Sequence, residues 1–402
     1  MAYLHNRTVN LLNLHYWIAS LAMSGGGAFF SVYLLKAGVS LPGVLLSLAA
    51  MFLLRLVIRS GLLTIAIRTG LRPLLIVGSL LMGASYPFLA EVQGVGISLF
   101  ILVLVSAIAD TVYWPTYHAY FAALGDEDHR GQQLGLREAM NATLGIASPL
   151  VAGWLLVTRG PHVAFIATGI VQALSAIPLF WTPDVPVARH APGAFRAVLP
   201  SAGIFIGDGL STAGYVIAWQ IVLFVSLGQN FMAYGGALAV AALVGAVGGL
   251  LLGRMIDTGN GARAVPLAIG LNAAVLLMRA LVPEHPALAI AANALGALVT
   301  CLYIPTMMTA VYNRAKRSPC VMRFHIAAEG GWDIGIGSGL CLGALIVWLG
   351  FSMSYVILIG LIGLAMVFVL LRRYYAEHPS EAVDASLQAD EFHPHPAETP
   401  KM

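Results

Sequence analysis

Tyr113-Trp114-Pro115-Thr116 and Tyr303-Ile304-Pro305-Thr306 are two copies of one short motif, and their separation, 303 − 113 = 190 residues, decides how the chain is read. The same shift carries Leu144-Gly145-Ile146-Ala147-Ser148 onto Ile334-Gly335-Ile336-Gly337-Ser338, Gly153 onto Gly343 and Gly38 onto Gly228. A repeat of this length, with prolines and glycines held at matching places, predicts two halves built on one plan.

The solvent of those halves follows from composition. Of 402 residues, 59% are hydrophobic and 10% charged, and mean hydropathy is +0.85, which excludes a water-soluble domain. Apolar runs of about 18 to 28 residues, each long enough to cross about 30 Å of hydrocarbon, fall at 11–35, 41–66, 73–90, 95–124, 135–158, 161–181, 197–226, 231–255, 264–283, 287–313, 323–349 and 352–373. These spans divide six and six about a Pro-rich, charged linker, 182–196, and predict units at 1–181 and 197–373 with a disordered polar tail at 374–402. The first run has no small-residue cleavage site after it and is expected to stay as a helix. Arginines and lysines such as Arg68, Arg72, Arg314 and Arg323 gather at one set of span ends, whereas the other set holds Lys36, Arg159 and Arg279. That asymmetry predicts both termini in the cytoplasm of a cell inner membrane.

Several classes drop out. Cys301, Cys320 and Cys341 have no CxxC spacing, so neither a disulfide framework nor a structural zinc site is expected. The net charge of +3 comes without a basic, aromatic-rich cluster, which argues against nucleic acid. No GxxxxGK loop, hydrolase triad or zinc helix is present, so no enzyme and no cofactor is expected.

Two six-helix halves, a central linker and basic loops after the second and eighth spans resemble the major facilitator superfamily over residues 11–373. A local signature strengthens the likeness: Gly253-Arg254-Met255-Ile256-Asp257-Thr258-Gly259-Asn260-Gly261-Ala262-Arg263 is similar to that family's loop motif of Gly, Asp, Gly and basic residues. The matching loop of the first half, Gly61 to Arg72, keeps glycines and arginines but lacks the acid. The resemblance implies an all-α integral membrane protein, with twelve transmembrane helices in two pseudo-symmetric six-helix bundles. It also implies secondary active transport by alternating access, and a cytoplasmic gate latched by Gly253, Asp257 and Arg263; Arg137 and Glu138, adjacent near the inner end of the fifth span, are expected at that gate from their position, opposing Asp257. Expected partners are a small-molecule substrate, the lipid bilayer and a proton; a monomer is expected.

A charge at mid-membrane costs about 2.5 to 3.5 kcal/mol on insertion scales, so such residues point to pairing, coupling or binding. Asp110, Asp208, Asp333 and Arg55 fall near span centres, with Arg59, His15, His118, Arg137, Glu138, His325 and Glu329 nearer the inner ends. Asp110, Tyr113, Trp114 and Tyr117 share one helix face, as do Asp208, Thr212, Tyr215 and Trp219. An acid among aromatics and hydroxyls suits the wall of a solute cavity, to which Tyr16, Ser20 and Ser24 add a third face; ordinary core packing is the alternative for each ring. The resemblance puts the first, fourth, seventh and tenth helices around the central cavity. His325, Glu329 and Asp333 follow i, i+4, i+8 and suit proton coupling, or ion pairing with Arg55 and Arg59, because the resemblance packs the second helix on the eleventh. No metal is assigned to that series. Acids outnumber arginines in the spans, which favours a neutral or cationic solute; an organic anion held by Arg55 and Arg59, and a non-transporting scaffold, are the alternatives.

Glycine spacing adds a packing expectation. Gly245, Gly249 and Gly253, Gly335, Gly339 and Gly343, and Gly145, Pro149 and Gly153 each stack on one helix face, where backbones can approach closely. Sliding between halves and static close packing both need such surfaces.

Overall fold

The computed structural model describes residues 6–125, 130–256, 261–281 and 285–377, with side chains throughout these except at 130–142, 249–256 and 261–263. Among the described residues the regular structure is helical, with no strand. Among the described residues twelve helical segments follow in order, eleven of them long and apolar enough to cross a membrane and α5 with a shorter apolar stretch, Thr143–Thr158: α1 (Arg7–Lys36), α2 (Leu41–Thr69), α3 (Leu71–Ala90), α4 (Ile97–Leu124), α5 (Arg130–Thr158), α6 (Pro161–Trp181), α7 (Ala194–Ser226), α8 (Phe231–Ile256), α9 (Gly261–Leu281), α10 (Pro286–Arg317), α11 (Val321–Trp348) and α12 (Met353–Glu377). Hydrocarbon offers backbone groups no partner, so a spanning segment is driven to helix, where most N–H and C=O groups pair within the segment. Their outward faces carry exposed Val57, Phe100, Val151, Ile170, Leu243 and Ile362, a surface suited to lipid and not to water.

Helix ends follow local chemistry. Asn6 Oδ1 accepts from Val9 N at 3.1 Å, and Ser40 Oγ accepts from Gly43 N at 3.3 Å, each capping a helix start. The repeat reappears in the turns: Gly38 and Gly228 both have positive φ (89° and 67°), as do Gly160 and Gly350 (83° and 87°), and 350 − 160 is again 190. Turns that need left-handed backbone keep glycine in both halves because a Cβ would be strained there. The first helix of each half also leaves α geometry at matching places. In α1 the break is a 3₁₀ turn, Gly26–Phe29; in α7 it is a π turn, Ala213–Ala218.

The two bundles, α1–α6 and α7–α12, meet chiefly along α2 against α11 and α5 against α8. The α2–α11 contact runs antiparallel, with Leu53 beside Gly337 and Leu56 beside Gly330. On the other seam, a Cβ on Gly145 would meet Ala242 at 2.9 Å, and one on Gly153 would meet the Phe231 carbonyl at 2.7 Å. The fifth-helix glycines therefore face across the halves. Gly335 and Gly339 instead pack inside the second bundle, against Ile206 and Ala213 of α7. Gly249 and Gly253 lie outside the residues whose side-chain surroundings are described.

The linker straps the bundles at one end. Asp184 Oδ1 accepts from Arg72 N at 3.0 Å at the start of α3, and Arg72 Nη1 donates to the Thr182 carbonyl at 3.0 Å. From the other bundle, Arg323 donates to the Ala188 and Arg189 carbonyls, both at 2.7 Å. One boundary shifts from expectation: helix α12 continues past 373 to Glu377, because Tyr374 and Tyr375 are buried and Tyr375 donates to the Thr306 carbonyl at 2.8 Å.

Candidate functional site

Where α2, α4 and α11 converge, five charges form one buried network. Arg55 holds Asp333 through Nε at 3.0 Å, Glu329 through Nη2 at 3.3 Å and Asp110 through Nη1 at 3.5 Å. One turn further on α2, Arg59 Nη2 bonds the other oxygen of Asp333. His118 of α4 brings Nε2 to 3.4 Å from Glu329 Oε1. Two guanidiniums against three carboxylates leave 2 − 3 = −1 with the histidine neutral. Phe52 and Trp332 face the Arg55 guanidinium at 5.5 and 5.7 Å, closing its remaining sides.

The network crosses between bundles, so it is a joint as well as a charge store. It is most open at Asp110, with His118 beside Glu329 next at 14%. The Asp110 side chain is 18% exposed, against 2% for Arg55, 6% for Glu329 and 0% for Asp333. Asp110 lines a cavity of about 260 Å³ together with Trp114, Tyr86, Ser106, Ser31 and Gln220. A second cavity, of about 410 Å³, is lined by Tyr215, Trp219, Arg279, Asn293, Ser24 and Thr300 among others, and shares Val216 and Gln220 with the first. The π turn of α7 stands between the two.

Hydrogen bonds fix these walls. Tyr215 OH donates to the Gly296 carbonyl at 2.7 Å, Trp219 Nε1 donates to Asn293 Oδ1 at 3.0 Å, and Asn293 Nδ2 donates to the Ala237 carbonyl at 3.2 Å. Ser31 Oγ reaches Gln220 Oε1 at 3.3 Å, a contact between the first helices of the two halves. At the linker end the bundles are also in contact. The Tyr312 hydroxyl is 2.6 Å from His118 Nδ1, the Phe121 and Tyr312 rings are 5.3 Å apart, and Lys316 Nζ donates to the Gly125 carbonyl at 3.1 Å. His325 stacks on His118 with ring centroids 5.6 Å apart.

Comparison with known proteins bears on this architecture. The sequence profile of the Major Facilitator Superfamily matches residues 12–234. The chain belongs to the Major Facilitator Superfamily. No curated protein sequence matches it. Among solved structures, the human organic anion transporter MFSD10 (TETRAN) superposes with a TM-score of 0.68 at 14% identity, covering 91% of this chain and 99% of that one. A POT family transporter in complex with 5-aminolevulinic acid gives 0.65 at 13% identity (93% and 96% covered). The E. coli fucose:proton symporter gives 0.61 at 13% identity (91% and 98% covered). At such identities the likeness is one of fold. The chain is thus an integral membrane protein of a transporter family.

Within this superfamily fold the residues singled out from sequence separate into groups. Asp110 and Trp114 line the first cavity, and Ser24, Tyr215 and Trp219 line the second. Tyr16, Ser20, Tyr113, Tyr117, Asp208 and Thr212 line neither. Tyr113 is fully buried, with its hydroxyl 3.1 Å from His15 Nε2, and Tyr16 stacks on Tyr117 at 4.8 Å. Asp208 accepts from Tyr303 OH at 2.7 Å and from Trp332 Nε1 at 3.1 Å inside the second bundle. The physical reason is width: an i, i+3, i+4, i+7 face spans more than 100° of a helix, and part of it must pack on neighbours while part meets the cavity. The repeat tyrosines do matching work, each tying the fourth helix of its half to a polar residue on the first. Arg55, Arg59, Glu329 and Asp333 come together in the network, with His325 beside His118. Gly253, Asp257, Arg263, Arg137 and Glu138 lie outside the residues whose side chains are described.

Arg279, read from sequence only as a charge at one end of its span, has a further place in the structure. It lies within α9, 3% exposed, with its guanidinium in the second cavity wall. An isolated arginine inside the apolar run 264–283 was the available signal. Gln220, Asn293 and the partners of His118 carried no comparable signal, since amides and single histidines are common in helix interiors.

Proposed function

We propose that the protein is a proton-coupled secondary active transporter that moves a small organic solute by alternating access, with Asp110 joining the buried charge network to the solute cavity. One observation carries this reading: a network with one carboxylate in excess crosses between the bundles and meets a cavity at Asp110. A proton taken up there cancels the excess charge and frees Arg55 to redistribute among Glu329 and Asp333, which lie across the bundle interface. Loss of the Glu329 contact with His118, and of His118 with Tyr312, would part the linker end. A proton bound on one side is thereby linked to a change in which bundle contacts hold, as alternating access requires.

In this reading the two units are 1–181 and 197–373, joined by a cytoplasmic linker, with both termini cytoplasmic, the chain monomeric and the membrane a cell inner membrane. Gly253, Asp257, Arg263, Arg137 and Glu138 form the gate at the linker end. Asp110, Trp114, Tyr215 and Trp219 contact the solute, and a neutral or cationic portion of it faces Asp110. Arg55 and Arg59 are both committed to carboxylates, which does not favour their serving as an anion site. The organic anion transporter, the transporter holding 5-aminolevulinic acid and the fucose:proton symporter share this fold and differ in solute, so similarity supports the class of protein and leaves the solute to the site.

The test has two stages. A thermal-shift screen of cationic, neutral and anionic metabolites at two pH values selects a solute. Proteoliposomes holding a pH-sensitive dye then report solute-driven proton movement, which Asp110→Asn should abolish while solute binding persists. Solute flux with no proton movement would remove the coupling, and silence across the whole screen would favour a scaffold that kept the fold.

A further inference from the structure

Arg279 is, among the described residues, a buried cation with no carboxylate partner. Among the described residues no acid lies within ion-pair distance of it, unlike Arg55 and Arg59. Of its five N–H donors, one on Nη1 goes to the Tyr215 carbonyl at 2.6 Å, and Nε has no hydrogen-bond partner. The bonded donor has a local explanation: the π turn Ala213–Ala218 breaks the regular helix ladder, and a guanidinium can satisfy a carbonyl there. The remaining donors are more than that structural task needs. The guanidinium carbon lies over Tyr215 at 4.2 Å and over Trp219 at 4.8 Å, which fixes its plane against two rings of the cavity wall.

The surroundings suit a ligand. The cavity holds about 410 Å³, within the range of small-molecule sites, and its walls include the apolar Val216, Leu238, Ala241, Ala242 and Ala297 beside the uncharged polar Ser24, Gln220, Asn293 and Thr300. A guanidinium fork as the charged group of a cavity with aromatic and aliphatic walls matches an oxyanion carried on an apolar body, because guanidinium binds carboxylate or phosphate oxygens in pairs. We infer that the second cavity is an oxyanion site, in which Arg279 binds the carboxylate or phosphate of the transported solute while Tyr215 and Trp219 contact its apolar body. This rests on the transport reading and narrows its substrate: the solute carries an acidic group, with its neutral or cationic portion directed across Gln220 toward Asp110.

The test uses probes of matched body and different charge on the purified full chain in detergent: 3-phenylpropanoate, phenyl phosphate and 2-phenylethylamine. Thermal stabilisation by at least one anion and not by the amine is expected, and the responding anion separates carboxylate from phosphate. Arg279→Gln should weaken that response on the order of 10- to 150-fold, the range for a charge-assisted hydrogen bond, with partial recovery in Arg279→Lys. Absence of both anion responses in the unaltered chain overturns the inference, as does equal affinity in Arg279→Gln. If Arg279→Gln does not fold, Cys301, which lines the same cavity, gives a second readout. With Cys320→Ser and Cys341→Ser, the responding anion should slow alkylation of Cys301 by N-ethylmaleimide, and unchanged alkylation refutes occupancy. Binding in detergent needs no proton gradient, so a failure of coupling registers in proteoliposomes and a failure of the oxyanion site registers here.

Discussion

Replacing Arg55 by Gln should be among the most damaging single changes in the buried network, and more damaging than neutralising an acid it holds. Arg55 lies 3.0, 3.3 and 3.5 Å from three carboxylates and is 1% exposed, so its loss leaves Arg59 alone against three acids, 1 − 3 = −2. Removing one partner from a buried ion pair costs about 3–5 kcal/mol. A pair near 4 Å at an effective dielectric of about 20 is worth about 4 kcal/mol, in line with that range. Asp333→Asn instead leaves two acids for two arginines, 2 − 2 = 0, and should cost less even though it removes contacts to both guanidiniums. The double change should be less harmful than the sum of the two by about 1–3 kcal/mol, as expected of groups in one network. Lowering pH should narrow the deficit of Arg55→Gln, because a protonated carboxyl needs no counter-charge. Equilibrium unfolding in mixed detergent and dodecyl sulfate micelles, followed by far-ultraviolet circular dichroism, reads each value. A cost for Asp333→Asn equal to or above that of Arg55→Gln, or strict additivity in the double variant, would refute the charge count.

Three further outcomes follow from the packing. Gly153→Leu sets a side chain against the Phe231 carbonyl, 2.7 Å from the first added atom, and should cost about 1–3 kcal/mol by overpacking the seam between bundles; the same micelle titration reads it, and a neutral result would mean that α5 and α8 are not in close contact. Gly38→Ala and Gly228→Ala, both at positive φ, should each lose about 1 kcal/mol and by similar amounts, which thermal unfolding of the two variants compares. Asp184→Ala removes the acceptor for Arg72 N at the start of α3 and should cost about 1 kcal/mol, with faster hydrogen exchange confined to the first turn of that helix.

The membrane as solvent, the twelve spans, the two related halves and the charged residues that had to be explained inside them are all legible along the chain. Those conclusions rest on properties that are additive along the chain, such as hydropathy and a fixed offset of 190 residues, and they need no knowledge of what touches what. Helix period placed Asp110 with Trp114 and Tyr215 with Trp219, yet it could not tell a cavity wall from a packed face. Tyr113 and Trp114 are adjacent in sequence and on one helix face, but Tyr113 meets His15 in the core while Trp114 meets open volume. That difference emerges from the packing of the helices, along with the sharing of Arg55 among three acids from two helices, the contact of His118 with Glu329 and the burial of Arg279. The physical reason is that cavities and ion pairs arise where separate helices cross, and the crossing of α2, α4 and α11, or of α7, α9 and α10, is set by how whole bundles pack.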